Sequence, residues 1–325
     1  MRRTIRAAAL AIGFGGLVAI QPSLAADKVN FVLDWSWVAY HSAFLLAQER
    51  GYYKDVDIDL NLEQGRGSAS SALLVGQGSF DIAHINITNA AQAGAKGMPI
   101  RTVALYQHGT SSAFIGIKGK VKLDGPQSLI GLKIGSTPGG SDGFAMAIFR
   151  EANKIPENKL DIVALDANVK TVALLNGQVD VVSGDSHAYN AIVRGAGKEP
   201  EMLQFSKYGV PLLGFGFAAN DKYFQSHKDV VKRFLAASKK GFAEAQKDPD
   251  GACDLIQKDG KLPGSHMQCV LYMTGLFDLS TPATDANWGR MTEKEWIDLL
   301  ATLKSVGQIE KERPVADYYS NDAVP

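Results

Sequence analysis

One short segment near the start of the chain collects three aromatic rings, a carboxylate and an imidazole. Residues 34–41 read Asp-Trp-Ser-Trp-Val-Ala-Tyr-His and directly follow an apolar, β-rich run, residues 29–33, which predicts a strand. In open α/β sheets, ligands bind beyond the carboxyl ends of the strands. Aromatic faces beside a few fixed polar groups suit a flat heteroaromatic ligand. The segment therefore predicts a ligand site that uses Asp34, Trp35, Trp37 and His41. The alternative is that both tryptophans pack the core and His41 caps a helix.

A loop rich in glycine and hydroxyl groups lies a hundred residues later, between a predicted strand and a predicted helix. Residues 135–143 read Gly-Ser-Thr-Pro-Gly-Gly-Ser-Asp-Gly. Glycines let the backbone approach a ligand closely, and free amides at a helix start attract anionic or carbonyl oxygens. We therefore expect Ser136, Thr137, Gly140 and Ser141 to contact the ligand. A flexible loop with a serine cap is the alternative.

The same loop matches the G-x-S-x-G pattern of serine hydrolases at residues 139–143. A nucleophile elbow places its serine directly on the turn from strand to helix, whereas here Pro138 separates the strand end from Ser141. Asp185 and His187 follow in a permissible order, yet they lie two residues apart, and no His-Gly-Gly-Gly-like oxyanion sequence exists. A secreted hydrolase acting through Ser141 is thus the alternative function, and the prediction is that the chain is not an enzyme.

Further polar residues follow predicted strands in both halves of the chain. Asp185 and Tyr189 come after a strand of the second half, and Gly67, Ser68 and Asn86 hold the equivalent positions in the first. We expect them to complete the ligand site, although Asp185 is also placed to cap the next helix. The chain has no H-E-x-x-H motif, Walker loop or dinucleotide fingerprint, and its histidines form no metal-ligand pattern. The prediction is accordingly no metal and no cofactor.

Two stretches a hundred residues apart repeat one unit. Ala-Leu-Leu-Val-Gly-Gln begins at residue 72 and Ala-Leu-Leu-Asn-Gly-Gln at residue 173, and each continues into an aspartate and a short apolar run. Each predicts the last turn of a helix, a left-handed glycine that ends it (Gly76 or Gly177), and then a buried strand. The predicted strands and helices alternate around both copies, as is typical of mostly parallel sheets flanked by helices. The predicted fold class is α/β with two lobes and a ligand cleft between them.

The chain is predicted to leave the first lobe near residues 106–110 and to return near residues 205–211. Lobe 1 is then discontinuous, with residues 26–108 and 209–325, and lobe 2 comprises residues 109–208. The two crossings would act as a hinge. From residue 221 onward the pattern is helical.

Residues 1–25 have the pattern of a cleaved export signal. Arg2, Arg3 and Arg6 precede an apolar stretch, and Ser-Leu-Ala at residues 23–25 is a small-x-small cleavage site without a nearby cysteine for a lipid anchor. We expect a mature protein that begins at Ala26 in the periplasm. A membrane anchor is the alternative, but the apolar run is short for a span.

The composition of the chain limits the classes of molecule that it is expected to bind. The chain contains 34 basic and 34 acidic residues and no basic run, which argues against nucleic acid. Its two cysteines, Cys253 and Cys269, would form a local disulfide in an oxidising compartment. Two buried thiols on neighbouring helices are the alternative.

The chain resembles the nitrate, sulfonate and thiamine-pyrimidine-precursor family of ABC-importer substrate-binding proteins. The resemblance rests on Leu-Asp-Trp at residues 33–35 with His41, on residues 47–53, 67–81 and 97–100, and on residues 132–135 with Gly140 and Ser141. In the pyrimidine-precursor branch, Leu-Asp-Trp is followed by Pro-Asn and then a histidine. This chain keeps Trp35 and His41 at that spacing but has Trp37-Val38 in place of Pro-Asn.

The resemblance implies a type II periplasmic-binding fold and a function in import. The expected function is to capture a small aromatic or heteroaromatic compound, similar to a thiamine pyrimidine precursor, and to deliver it to an ABC permease and its ATPase at the inner membrane. Sulfonates and aromatic carboxylates are the alternative ligands. A related branch makes the pyrimidine enzymatically, which is not expected of an exported chain. We expect a monomer.

Overall fold

The computed structural model describes residues 25–137, 141–262, 264–310 and 313–325, without the side chains of residues 141–143 and 167–168. The predicted export signal therefore lies, except for its last residue, outside the described residues. The strands are β1 (Asp27–Val32), β2 (Ile58–Glu63), β3 (Ile82–Asn86), β4 (Ile100–Leu105), β5 (Ser112–Ile117), β6 (Lys133–Ser136), β7 (Asp161–Ala164), β8 (Val181–Asp185), β9 (Pro200–Gln204) and β10 (Phe215–Asn220).

Helices connect and flank these strands. They are α1 (Ser42–Glu49), α2 (Ser68–Gly76), α3 (Ile87–Ala95), α4 (Ser141–Ala152), α5 (Ala167–Leu175), α6 (Ser186–Gly195), α7 (Asp221–Ser226), α8 (Lys228–Lys247), α9 (Pro249–Lys258), α10 (His266–Asp278) and α11 (Glu293–Ser305), and a 3-10 turn, Ala39–His41, precedes α1. Within the described ranges, no helix combines the length and the hydrophobicity needed to cross a membrane.

The strands form two five-stranded sheets with the same topology. The first sheet has the order β2-β1-β3-β10-β4, and the second has the order β7-β6-β8-β5-β9. In the first, β1, β2 and β3 are parallel, and β10 runs antiparallel between β3 and β4. In the second, β5 takes the place of β10. Each antiparallel strand follows a crossing between the sheets. The prediction of a mostly parallel α/β fold is confirmed.

The repeated helix-to-strand unit is present in both sheets, but its glycine was misassigned in the first copy. Gly76 is the last residue of α2, where an added Cβ would lie 2.5 Å from the Met98 side chain, and the left-handed residue is Gly78, with φ of 79°. In the second copy Gly177 is left-handed as predicted, with φ of 72°. The prediction for Gly76 is wrong because Gly76 still belongs to α2, and the chain adopts the left-handed conformation only two residues later.

With Gly78 aligned to Gly177, both copies read Gly-x-x-Asp before the strand. The two aspartates then make the same contact. Asp81 Oδ2 accepts the backbone N–H of Asn30 in β1, and Asp180 Oδ2 accepts that of Lys133 in β6, each at 2.8 Å. The repeat thus fixes how β3 and β8 begin beside their neighbouring strands.

Strand β9 was not predicted. It begins with Pro200 and pairs antiparallel with β5 at the edge of the second sheet. Proline is tolerated at the first residue of an edge strand, because no ladder hydrogen bond has to be donated from that position. The sequence of β9, Pro-Glu-Met-Leu-Gln, carries too little alternation to stand out as a strand.

The C-terminal helices cover the first sheet and reach across to the second. Aromatic rings fill the layer beneath α8, where Phe31 lies 5.0 Å from Phe44 and 4.9 Å from Phe234 between ring centroids. Cys253 in α9 and Cys269 in α10 form a disulfide. Helix α10 also packs along α6 of the second lobe, so the lobes touch through a third element besides the two crossings.

Candidate functional site

A cleft of about 770 Å³ opens between the two sheets, within the range of small-molecule sites. Residues after β1, β3 and β8 line it, as expected for the carboxyl ends of parallel strands. The structure brings seven of the predicted ligand residues to this cleft: Asp34, Trp35, Gly67, Ser68, Asn86, Asp185 and Tyr189.

Trp35 is the most conspicuous part of the cleft wall. Its side chain is 51% exposed, although it is one of the largest apolar side chains in the protein. The loop that follows β2 holds its backbone, since the N–H of Gly65 donates to the Trp35 carbonyl at 3.0 Å and the N–H of Gly67 donates to the Asp34 carbonyl at 2.8 Å. Gly67 has φ of 129°, and an added Cβ would lie 3.6 Å from the indole. An exposed indole held on a fixed backbone is suited to stack on a flat ligand.

Behind Trp35, the Asp34 carboxylate is the centre of a buried hydrogen-bond network. Its Oδ1 accepts from His41 Nε2 and from His84 Nδ1, both at 2.8 Å, and its Oδ2 accepts from the Tyr40 hydroxyl at 2.7 Å. The network continues from His84 Nε2 to the Tyr106 hydroxyl at 2.6 Å. Both imidazoles are fully buried, and Asp34 is only 5% exposed.

The backbone determines which nitrogen of His41 carries the proton. The N–H of Val38 donates to His41 Nδ1 at 3.2 Å, so Nδ1 accepts and Nε2 holds the proton that Asp34 receives. Burial opposes ionisation of Asp34, but His41 and His84 outweigh it, through their hydrogen bonds and through their charge whenever they are protonated, and hold the pKa of the carboxyl well below its usual range. Burial also lowers the pKa of His41. The centre is therefore an ionised carboxylate that accepts from a neutral His41.

The same three side chains, Asp34, His41 and His84, are close enough to be considered as metal ligands, since their ligand atoms all lie within 4.8 Å of one another. A metal on His41 Nε2 would move the imidazole proton to Nδ1, where it would meet the N–H of Val38. Two donors would then face each other in a buried site, which is costly. The arrangement fits a hydrogen-bond network better than a metal centre.

Asp185 and Asn86 serve the cleft and their helices together. Asp185 Oδ1 accepts the N–H of Ala188 at 2.9 Å, which caps α6, and Oδ2 accepts the Ser111 hydroxyl at 2.5 Å. Asn86 caps α3 in the same way. Its backbone N–H donates to the Ser68 hydroxyl at 3.0 Å. Capping and cleft lining are therefore compatible roles, and the caps hold both side chains at fixed positions.

Four predicted site residues do not line the cleft. Trp37 packs against the core of the first lobe, with its ring 5.9 Å from that of His41 and with the Lys261 ammonium 5.2 Å from its centroid. His41 is buried behind Asp34. The chain bends at residues 34–37, before the 3-10 turn Ala39–His41, and only the first of the two tryptophans faces the opening.

The other two are Ser136 and Thr137, at the end of β6. Ser136 is buried and accepts the Ser183 hydroxyl at 3.0 Å, which links neighbouring strands. The Thr137 hydroxyl is buried and has no partner among the described residues. Gly140 and the side chain of Ser141 lie outside the described residues. The structure therefore does not test the hydrolase hypothesis.

The structure adds aromatic and charged residues that the sequence analysis missed. Phe215 and Tyr272 line the cleft, as does the ammonium-bearing Lys170, beside Tyr40, the third aromatic ring of the predicted segment 34–41. Lys170 is 6% exposed and donates to the Ser183 carbonyl at 2.8 Å. A lysine within the apolar helix Ala-Asn-Val-Lys-Thr-Val-Ala-Leu-Leu was a usable signal. No local pattern marked Tyr272, which reaches the cleft from a helix more than 200 residues away from Asp34.

A third buried histidine, His187, connects the two lobes beside the cleft. His187 of α6 accepts from the Gln107 amide at 3.2 Å; the orientation of that amide follows from its oxygen, which accepts the N–H of Phe215 at 3.1 Å. Burial lowers the pKa of His187. The junction between the first crossing and α6 thus uses a neutral imidazole.

Comparison with known proteins agrees with this architecture. The family model described as NMT1/THI5 like matches residues 38–252. A 4-amino-5-hydroxymethyl-2-methylpyrimidine phosphate synthase of Saccharomyces cerevisiae, THI12, is 24% identical over 240 residues, which cover 70% of this chain and 69% of that protein. A formylaminopyrimidine-binding protein of Halalkalibacterium halodurans is 21% identical over 237 residues, which cover 71% and 70%.

Solved structures show the same fold. The alkanesulfonate-binding protein SsuA from Xanthomonas axonopodis pv. citri, bound to MOPS, has a TM-score of 0.66 at 15% identity and covers 92% of this chain and 99% of its own. The periplasmic nitrate-binding protein NrtA from Synechocystis has a TM-score of 0.66 at 12% identity, with coverage of 92% and 87%. The predicted two-lobed periplasmic-binding-protein fold and the predicted family resemblance are confirmed.

One prediction is overturned by the same comparison. The chain was expected not to be an enzyme, yet its matched relatives include yeast proteins named as pyrimidine phosphate synthases. The expectation was wrong because it took an export-like N-terminus to exclude synthesis. A cleft that binds a ligand and a cleft that transforms one use the same kinds of side chain, so the fold does not separate the two.

Proposed function

We propose, from the premise that the chain belongs to the NMT1/THI5-like family, that it captures a small heteroaromatic compound in its cleft and delivers it to an ABC permease. The observation that carries the proposal is the exposed Trp35 indole above the buried Asp34 network. Stacking would supply affinity, and the Asp34 carboxylate would accept an N–H or O–H of the ligand.

The lone pairs of Asp34 indicate what the ligand would offer. A carboxylate has about four acceptor positions, and Oδ1 accepts two hydrogen bonds while Oδ2 accepts one. One position on Oδ2 is left, and Asp34 lines the cleft. A ligand that places a hydrogen-bond donor there would complete the shell of a buried charge, which is worth more than a neutral hydrogen bond.

The charges of the cleft wall favour a nitrogen heterocycle over an oxoanion. Asp34 and Asp185 contribute two carboxylates, Lys170 contributes one ammonium, and no arginine lines the cleft in the described part of the chain. A sulfonate or nitrate ion would approach both carboxylates with one cation to balance them. A neutral or protonated pyrimidine would not meet this repulsion, and the relatives named for pyrimidines support the same choice.

Calorimetry with three compounds would test this proposal. We expect 4-amino-5-hydroxymethyl-2-methylpyrimidine to bind more tightly than MOPS or nitrate, and to quench tryptophan fluorescence. Asp34→Asn should weaken binding of the pyrimidine, whereas Asp81→Asn, which changes a carboxylate outside the cleft lining, should leave the affinity unchanged. Tighter binding of MOPS or nitrate would refute the ligand class, and absence of binding to all three would refute small-aromatic capture.

We also propose that the protein functions in the periplasm after cleavage before Ala26. The support is the sequence pattern of residues 1–25 together with neighbours described as periplasmic binding proteins. Fractionation of the expressing cells with N-terminal sequencing of the purified protein is the test. Recovery of a chain that still begins at Met1 in the membrane fraction would contradict the proposal.

A further inference from the structure

Helix α10 forms a third wall of the cleft, beyond the strand ends of the two lobes. It packs against the 3-10 turn Ala39–His41 of the first lobe and along α6 of the second. Among its residues, Tyr272 lines the cleft. The ring of Tyr272 lies 5.8 Å from that of Tyr40, edge to face, and 6.5 Å from that of His187. Tyr272 is therefore held between side chains from both lobes.

The Tyr272 hydroxyl is available to a ligand. The hydroxyl makes no hydrogen bond with the described residues. Its oxygen is not fully buried, and Tyr272 lines the cleft, so the oxygen remains accessible from the cleft. Burial, followed by the charges of Asp185 and Asp34, raises the pKa of Tyr272 well above its ordinary value. The hydroxyl consequently stays protonated and can donate.

The rotation of α10 about its axis is fixed by contacts on its other side. Cys269, one turn before Tyr272, is bonded to Cys253 of α9, and both are buried. Met273, next to Tyr272, is fully buried and accepts the Ser42 hydroxyl of α1 at 3.3 Å. A turn of the helix that removed Tyr272 from the cleft would have to break these contacts.

We infer that Tyr272 is a specificity-determining residue whose hydroxyl donates to an acceptor atom of the ligand, and that the Cys253–Cys269 disulfide positions it. The inference rests on the proposed function. The carboxylates of Asp34 and Asp185 can only accept, so a ring nitrogen or carbonyl on the ligand needs a donor, and Tyr272 supplies one. The ligand class is then an aromatic compound that carries both a donor and an acceptor on its ring.

The first experiment measures the affinity of Tyr272→Phe for 4-amino-5-hydroxymethyl-2-methylpyrimidine by calorimetry. The substitution removes only the hydroxyl, and the affinity should fall by about 3- to 10-fold, as for one hydrogen bond. Tyr319→Phe is the matched control, because Tyr319 stacks on Trp296 and does not line the cleft; its affinity should equal that of the unaltered protein. Equal affinities for both variants would overturn the inference while leaving the proposed function intact.

The second experiment repeats both titrations after reduction of the disulfide. If the disulfide positions Tyr272, its hydroxyl should contribute less in the reduced protein, so Tyr272→Phe should then weaken binding by less than about 2-fold. A purely structural disulfide would weaken both proteins equally and keep the ratio between them, which would overturn the positioning role. A Cys253→Ala/Cys269→Val variant, which cannot form the bond, provides the same comparison without reductant.

The outcomes separate the two proposals. If the unaltered protein does not bind the pyrimidine, the proposed ligand class fails, and the role of Tyr272 fails with it. If the unaltered protein binds the pyrimidine and Tyr272→Phe binds it with the same affinity, only the inference about Tyr272 fails.

Discussion

Replacing Asp34 with asparagine tests whether the buried network depends on a charge. The substitution keeps the shape of the side chain but removes the carboxylate that accepts from Tyr40, His41 and His84. The amide oxygen can still accept from both imidazoles, whereas the NH2 group would face the Tyr40 hydroxyl, which would have to rotate and accept. All three hydrogen bonds become neutral.

The expected cost follows from these three bonds. A hydrogen bond to a charged group contributes about 1.5–3 kcal/mol and a neutral one about 0.5–1.5 kcal/mol, so the loss is about 1 kcal/mol for each bond. Because the variant no longer buries a charge, part of that loss is offset. We expect the free energy of unfolding to fall by about 2 kcal/mol at neutral pH.

Denaturant unfolding at pH 7, followed by circular dichroism, measures this change. Asp81→Asn is the control, since Asp81 also accepts a backbone N–H at 2.8 Å but in an exposed position; it should cost less than about 1 kcal/mol. Equal stability of Asp34→Asn and the unaltered protein would refute the charged network.

The pH dependence of the same difference provides an independent check. The pKa of Asp34 is depressed in the folded state, so its contribution to stability is full above the unfolded pKa of about 3.9 and is lost as the pH falls through the folded value. The stabilities of the unaltered protein and of Asp34→Asn should therefore converge between about pH 4 and the acid limit of the measurement. A difference that grows on acidification would contradict this assignment.

Three further predictions concern the cleft, the Cys253–Cys269 disulfide and the junction between the lobes. Trp35→Ala should weaken pyrimidine binding in calorimetry by roughly 5- to 150-fold, as expected for the loss of one stacking ring, while Trp37→Ala should lower the melting temperature and leave the affinity within about 2-fold; the reverse pattern would contradict the placement of the two rings. Reduction of the disulfide, whose cysteines are 16 residues apart, should lower the free energy of unfolding by about 3 kcal/mol in denaturant titrations with and without reductant, and an unchanged midpoint would argue against a stabilising role. Because burial lowers the pKa of His187 in the folded state, the unfolded chain takes up the proton first, and stability should decline as the pH falls below about 6.5; His187→Gln should show a shallower decline between pH 7 and 5, and an identical slope would exclude His187 as the cause.

Much of the fold could be predicted from the sequence, because the signals that define it are local. Apolar runs followed by helical periodicity predict most strands and helices, and the repeated Ala-Leu-Leu unit predicts two similar sheets. Capping residues and left-handed glycines act within a few residues of their own position, so a single chain is enough to read them. The errors came where competing local signals were present, as at Gly76, or where the signal was weak, as in the edge strand β9.

The residues of the site could be predicted from the sequence only in part. Trp35, Asp34 and Asp185 were predicted because they directly follow strands, and strand ends in such sheets meet at the cleft. The sequence could not tell Trp35 from Trp37, since the turn that points one ring to the cleft and the other to the core follows from packing against α9 and α10. Nor could it join His84 and Tyr106 to Asp34, because Asp34 follows β1, His84 lies in β3 and Tyr106 follows β4, and the contacts form only when the sheet assembles.

Tyr272 shows most clearly what only the tertiary structure decided. Nothing near it in sequence resembles a binding motif, and it reaches the cleft because α10 packs across both lobes. Sequence patterns record which face of an element is apolar, and they do not record which element will lie beside it. That choice is made by side-chain packing over long sequence distances, so the identity of the third wall of the cleft could be read only from the folded protein.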